Sequence, residues 1–208
     1  MELNFLESTQ IALAHNVLTD AECDTLTDFS VWMKNNEFMP KKALENANKD
    51  EQNFIEDLSK DRLPREEVNN FWIERNVHLS FAPKIYQKIS RKLQLASTKL
   101  LRKYLEELNT DKKNFNINDV VFDTVSVYQA ETSLNTHSDC DDYALVFWLS
   151  EYGKDFEGGE LYFTDLDITI KPTKGTLLLQ PSKNRHEIKE ITSGYRCGMT
   201  CFVAVKNQ

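Results

Sequence analysis

Among 208 residues there are only four cysteines and four histidines, and no apolar run approaches the roughly 18 residues needed to span a bilayer. Cys23, Cys140, Cys197 and Cys201 form no C-x-x-C pair. In a chain of this length an even cysteine count does not imply a disulfide framework, so reduced thiols are expected. Basic residues are also scarce, with 25 Lys and Arg against 33 Asp and Glu and a formal net charge of −8. That balance disfavours a nucleic-acid partner, because affinity for phosphate backbones comes mostly from Lys and Arg releasing counterions. The opening MELNFLESTQIALAHNVL has acidic residues at positions 2 and 7 and no basic n-region. The expectation is a soluble, cytoplasmic chain with no signal peptide and no membrane association. No internal repeat, low-complexity linker or long heptad run is present.

What is there suffices for one core: 40% hydrophobic and 11% aromatic residues point to a single domain over 1–208. Residues 16–36 place Leu18, Cys23, Leu26, Phe29 and Met33 on one helical face, with Thr19 as N-cap and Glu22 completing a capping box. Residues 37–70 are dominated by Lys, Asp, Glu and Asn, and read as a charged surface excursion or a lid. From 81 to 108, Ile85, Ile89, Leu93, Ala96, Leu100, Tyr104 and Leu108 form one long apolar stripe, predicting a long helix. After the loop DKKNFNIND the character changes, and short β-rich runs follow one another from VVFDTVSVY to YRCGMTCFVAV. Helices first and strands second predict an α+β chain. Its core is a double-stranded β-helix, or jelly roll, over 118–206, flanked by N-terminal helices in a helical support region over 1–110.

The chemistry concentrates in four residues. His137 and Asp139 form an H-x-D pair, His186 lies far downstream, and Arg196 follows ten residues after it. Alternation along an extended segment puts His137 and Asp139 on one side. Two imidazoles and one carboxylate on one face of a metal leave its other positions open, the arrangement of non-haem Fe(II) oxygenases. Arg196 presents a planar fork suited to a carboxylate, and suggests 2-oxoglutarate as the co-substrate it anchors. Arg196 is expected to begin the final strand. Gly198, Thr200 and Phe202 share its face: Gly198 leaving room for a ligand, Thr200 supplying a hydroxyl, Phe202 closing the floor. His15 and His78 read as structural or exposed.

The segment from about Val120 to Val205 resembles the catalytic core of the 2-oxoglutarate and Fe(II)-dependent prolyl 4-hydroxylase family. VSVYQAETSLNTHSD is similar to the family's Tyr-bearing strand leading into H-x-D. YALVFWLS with EGGELYF is similar to its strand, loop and Gly-Gly hairpin, and NRHEIKEITSGYRCGMTCF to its second His and downstream basic residue. NVLTDAECDTL matches the family's N-terminal helix generically. The resemblance implies that His137, Asp139 and His186 bind iron and that Arg196 holds the C5 carboxylate of 2-oxoglutarate. It implies Tyr128 and Thr200 as neighbouring polar contacts, Leu161, Phe163 and Ile188 as lining, and Trp148 as a wall where relatives often carry Tyr. Each of these also fits an ordinary core position. Glu131 stands where the family usually has Gly, and Leu134 where a second aromatic is common. An Arg anchor resembles the oxygen-sensing enzymes and their microbial or viral relatives more than the collagen-modifying branch.

The resemblance further implies Fe(II), 2-oxoglutarate and O2 as cofactor and co-substrates, with ascorbate as an accessory. The implied reaction is hydroxylation at C4 of a proline in a peptide or protein, releasing succinate and CO2. Asp139 argues against halogenation, since halogenating relatives replace this carboxylate by a small residue. Three alternatives stand beside it: the same chemistry on another side chain or small molecule, a non-catalytic metal-binding jelly-roll module, and a nucleic-acid demethylase. The motif of the substrate and the oligomeric state are not written in the sequence.

Overall fold

The computed structural model describes residues 2–35, 76–79, 82, 84–108 and 119–205. The charged excursion over 37–70 and the loop after Asn109 lie outside the described residues. The first helix, α1 (Asp20–Asn35), starts where the capping box places it. Thr19 Oγ1 accepts the Glu22 amide at 3.3 Å and Glu22 Oε2 accepts the Thr19 amide at 2.9 Å, so two of the helix's unpaired donors are satisfied reciprocally. The second helix, α2 (Lys84–Glu107), buries Ile89, Leu93, Leu100 and Tyr104 from the expected stripe, together with Ser97, Leu101 and Leu105. Ile85, at its first turn, is 52% exposed instead. Lys92 of α2 meets Glu22 of α1 at 2.7 Å.

Among the described residues, twelve antiparallel strands form two sheets. Their ranges are β1 (Asn4–Phe5), β2 (Ala12–Ala14), β3 (Asn76–His78), β4 (Thr124–Gln129), β5 (Leu134–His137) and β6 (Tyr143–Trp148), then β7 (Phe156–Gly158), β8 (Leu161–Phe163), β9 (Ile168–Ile170), β10 (Thr176–Pro181), β11 (His186–Ile188) and β12 (Ile191–Val203). The major sheet runs β1-β2-β10-β6-β12-β4-β3, with β7 paired to β12, and the minor sheet runs β5-β11-β8-β9. The helical support region expected over 1–110 therefore also supplies three strands. β1 and β2 extend one side of the major sheet and β3 the other. Each is only two or three residues long, too short for a periodic signature.

The major sheet has two dry faces. On β6 and β10, Leu145, Phe147, Leu177 and Leu179 pack with helix residues such as Leu26, Leu93 and Leu101 in one cluster. Trp148 and Leu178, pointing the other way, join Leu161, Phe163, Ile170 and Ile188 of the minor sheet in a second cluster. A strand covered on both faces reads as an unbroken apolar run, which is why LVFW and TLLL do not alternate with polar residues. Tyr104 pins α2 to the N-terminal hairpin: its hydroxyl donates to the Gln10 carbonyl at 2.6 Å and its ring stacks on Phe5 at 5.6 Å. No disulfide joins the four cysteines, and Cys23, Cys197 and Cys201 are buried. The functional residues sit between the two sheets, where the second cluster opens to solvent.

Candidate active site

His137 closes β5, and His186, directly opposite it in the antiparallel register, opens β11. Their rings lie 4.5 Å apart. Asp139 is not on the strand with His137 but in the loop just beyond, held there by its amide, which donates to the Ser182 carbonyl at 2.9 Å. Its two oxygens face the two imidazoles, with Oδ1 3.6 Å from His137 Nε2 and Oδ2 3.5 Å from His186 Nε2. These separations are too long for hydrogen bonds and suit a shared ion. Among the described residues no other three acidic, His or Cys side chains converge in this way.

The surroundings fix the direction of each donor. His137 Nδ1 lies 2.8 Å from the Asn135 carbonyl and His186 Nδ1 2.9 Å from that of Asn184. A carbonyl only accepts, so each Nδ1 carries a proton, and each Nε2 is directed at Asp139. Burial pushes the His186 imidazole below its usual range, against the pull of Asp139. Burial likewise pushes the Asp139 carboxyl up, partly offset by His186 and His137. A buried carboxylate faced by two imidazole nitrogens is suited to holding a cation. Two nitrogens and one carboxylate oxygen on one side fit Fe(II) with open positions.

Across the cavity, Arg196 is only 4% exposed. Its Nε donates to the Gly159 carbonyl at 3.0 Å, and its guanidinium lies 5.7 Å from the Tyr128 ring centre. Burial pushes it below its ordinary value, and no carboxylate among the described residues offsets that cost. A buried cation lacking an internal anion fits an anionic ligand, and a distal carboxylate suits its fork. The Gly-Gly hairpin makes the seat: a Cβ on Gly159 would lie 3.0 Å from Arg196 Cδ and 2.7 Å from Ile191 Cγ1. Leu161, Phe163, Ile188 and Trp148 join Tyr128 in the apolar wall, and the Phe163 ring is 5.6 Å from that of His186.

Some expectations shift. Arg196 lies within β12 rather than at its start, because that strand begins at Ile191 against β7 and then changes partner to β4 and β6. The turn-like sequence ITSG conceals this: Gly194 adopts a φ of 74° and lets the pairing continue. A Cβ on Gly198 would lie 3.0 Å from the Phe147 carbonyl oxygen, so the glycine permits the close approach of β6, with Trp148 Cδ1 in ordinary contact at 3.9 Å. Thr200 faces the cavity side of β12 but is exposed. Phe202 is half-buried and pairs with Ala144. His15 is structural, its Nδ1 2.9 Å from Thr176 Oγ1.

One residue was not singled out by the sequence. Gln180, fully buried on β10, donates from Nε2 to Asp139 Oδ2 at 3.3 Å. The Gln180–Ala144 pairing brings it to the metal carboxylate. Only its polarity within the apolar run TLLLQP could have flagged it.

The sequence profile of the 2OG-Fe(II) oxygenase superfamily matches residues 124–204, which span β4 through β12. No curated protein matches the chain. Among solved structures, it is similar to the viral collagen prolyl hydroxylase of Paramecium Bursaria Chlorella virus-1, seen in a 2OG complex, with a TM-score of 0.57 at 18% identity over 98% of this chain and 100% of that one. It is also similar to a Pseudomonas putida prolyl-4-hydroxylase, with a TM-score of 0.56 at 12% identity over 96% and 95% of the two chains. At such identities the likeness establishes the shared jelly-roll fold.

Proposed function

We propose that this chain, whose residues 124–204 match the sequence profile of the 2OG-Fe(II) oxygenase superfamily, hydroxylates a proline of a peptide or protein substrate at C4. The observation that carries the reading is the pairing, in one cavity, of the His137–Asp139–His186 triad with a buried Arg196 that no described carboxylate neutralises. His137, Asp139 and His186 hold Fe(II). Arg196 binds the C5 carboxylate of 2-oxoglutarate, with Tyr128 against its guanidinium and Thr200 at the open side. Bound iron with 2-oxoglutarate and O2 supplies an oxidant able to break an unactivated C–H bond, with succinate and CO2 as by-products.

The protein's contribution is placement and exclusion. Neutral imidazoles with Nδ1 tied to backbone carbonyls hold their donor atoms in place without reorganising. Leu161, Phe163 and Ile188 keep water from the cavity wall, which protects a reactive oxidant from side reactions. Ascorbate completes the proposed set of small molecules. Proline as target is supported by the activities named for the two structural neighbours, and the excess of acidic residues favours a peptide over nucleic acid.

The test is a panel of proline-containing peptides incubated with Fe(II), 2-oxoglutarate and O2. Peptide-dependent succinate release with one oxygen atom added at proline is expected. Succinate release driven by another residue or by a small molecule would retain the oxygenase and replace the substrate. No 2-oxoglutarate binding at all would overturn the reading.

A further inference from the structure

The outer face of α2 is basic in a chain that is acidic overall. Its 24 residues include seven Lys and Arg, and their only carboxylates are Glu106 and Glu107 at the end of the helix. At 3.6 residues per turn, Lys84, Lys88, Arg91, Lys92, Lys99, Arg102 and Lys103 fall in one stripe about 120° wide and about 29 Å long. Lys92 meets Glu22 at 2.7 Å and Lys103 meets Glu107 at 3.5 Å. Lys84, Lys88, Arg91 and Lys99 have no ion-pair partner among the described residues. Like charges at i,i+4, such as Lys84 with Lys88, destabilise the helix that carries them. A face built for solubility alone mixes the two signs.

The stripe is also partly apolar. Ile85 and Leu95 are 52% and 40% exposed among its charges. A groove of about 510 Å³ is lined by Lys88, Arg91, Lys92, Leu95, Ala96 and Lys99.

These features select the partner. A flat anionic membrane would also meet α1, which lies alongside through the Glu22–Lys92 pair and the Phe29–Tyr86 stack and exposes Asp20, Asp24 and Asp28. Charges of both signs would then face the same plane. A single nucleic-acid strand is held by stacking on aromatic rings, and no aromatic side chain lines the groove. A straight row of cations with an aliphatic contact near its middle matches a helix that carries carboxylates at i,i+4 spacing beside an apolar residue. Glu22 already makes one such contact, a carboxylate of one helix meeting Lys92 of the next.

We infer that the outer face of α2 is a docking site for an acidic, amphipathic helical segment of a partner protein. Carboxylates of that segment pair with Lys88, Arg91 and Lys99, and an aliphatic side chain enters the groove against Leu95. α2 packs on the face of the major sheet opposite the cavity, so a docked partner leaves His137, Asp139 and His186 accessible.

The test uses the full chain and a fluorescein-labelled peptide of about 15 residues, long enough for four helical turns, in which Glu recurs at i,i+4 around Leu. The same peptide with Gln at every Glu is the control. Fluorescence anisotropy should show binding of the Glu peptide that weakens as salt rises, with the Gln peptide at least about tenfold weaker. Lys88→Glu, Arg91→Glu and Lys99→Glu combined should lose about tenfold or more in affinity, with the helical circular-dichroism signal unchanged. Lys154→Glu, Lys171→Glu and Lys183→Glu combined, which alter the net charge equally at exposed positions, should retain most of the binding. No binding of the Glu peptide, equal binding of both peptides, or an equal loss in the two triple variants would overturn the inference. Tighter binding to oligothymidylate or to phosphatidylserine vesicles would overturn it too, and would assign the stripe to a nucleic acid or to a membrane.

Discussion

Gly159 and Arg196 are fitted to one another: the glycine's carbonyl accepts Arg196 Nε at 3.0 Å, and its missing side chain is where Arg196 Cδ passes. Gly159→Ala is expected to displace the guanidinium and weaken 2-oxoglutarate binding about tenfold or more. Its φ of 68° adds backbone strain of about 1–2 kcal/mol to the steric conflict. Calorimetry with 2-oxoglutarate together with a melting curve checks both effects; wild-type affinity would show that Arg196 is seated by other contacts.

Gln180→Leu should weaken divalent metal binding by about 10- to 100-fold, the usual effect of removing a group that orients a ligand. The volume is nearly kept, so the loss reports the bond to Asp139 Oδ2. Competition with a chelating dye measures it, and Gln180→Asn, with a shorter reach, should not rescue it.

Metal should stabilise the fold through the same carboxylate. With Zn(II) at about 100 times its dissociation constant the gain is about 2.7 kcal/mol, visible as a higher melting temperature that a chelator reverses. His137→Ala should abolish most of that shift while leaving the metal-free protein near wild-type stability. A shift that survives in His137→Ala would place the metal elsewhere.

Glu131 adopts a φ of 66° on the exposed turn between β4 and β5, with its amide donating to the Ile191 carbonyl at 2.9 Å. Glycine takes that conformation without steric cost, so Glu131→Gly is expected to stabilise the protein by up to about 1 kcal/mol. Urea unfolding at neutral pH checks the sign.

The carboxyl of Glu22 is held below its usual value by Lys92 first and by Thr19 after it. A depressed folded value means that its stabilisation is complete above the unfolded value near 4.5 and fades as pH falls through the folded one. Glu22→Gln should therefore cost about 0.5–1 kcal/mol at pH 7, and the difference should shrink toward pH 3. An undiminished difference at low pH would mean that the effect is not ionic.

Much of this was legible before any coordinates. The capping box of Thr19 and Glu22, the stripe of α2 and the set His137, Asp139, His186 and Arg196 are local patterns with fixed spacing, and spacing survives folding. What was hidden depends on register. Gln180 becomes a partner of Asp139 only because β10 lies beside β6, and Trp148 comes beside Gly198 only because those two residues pair. β1, β2 and β3 gain their conformation from the strands they join, not from their own periodicity. Arg196 was expected to begin the final strand because Thr192, Ser193 and Gly194, exposed where β12 pairs with β7, carry no apolar signal.

The burial of three thiols has a consequence for the working life of such a catalyst. Cys23, Cys197 and Cys201 are each pushed up to about 12 by burial, so near neutral pH only about one part in 10⁵ is thiolate, the form that oxidants attack. Cys140, next in the chain to Asp139, is half-buried where the other three are buried, so oxidative ageing is expected to register first as sulfenic acid at that position.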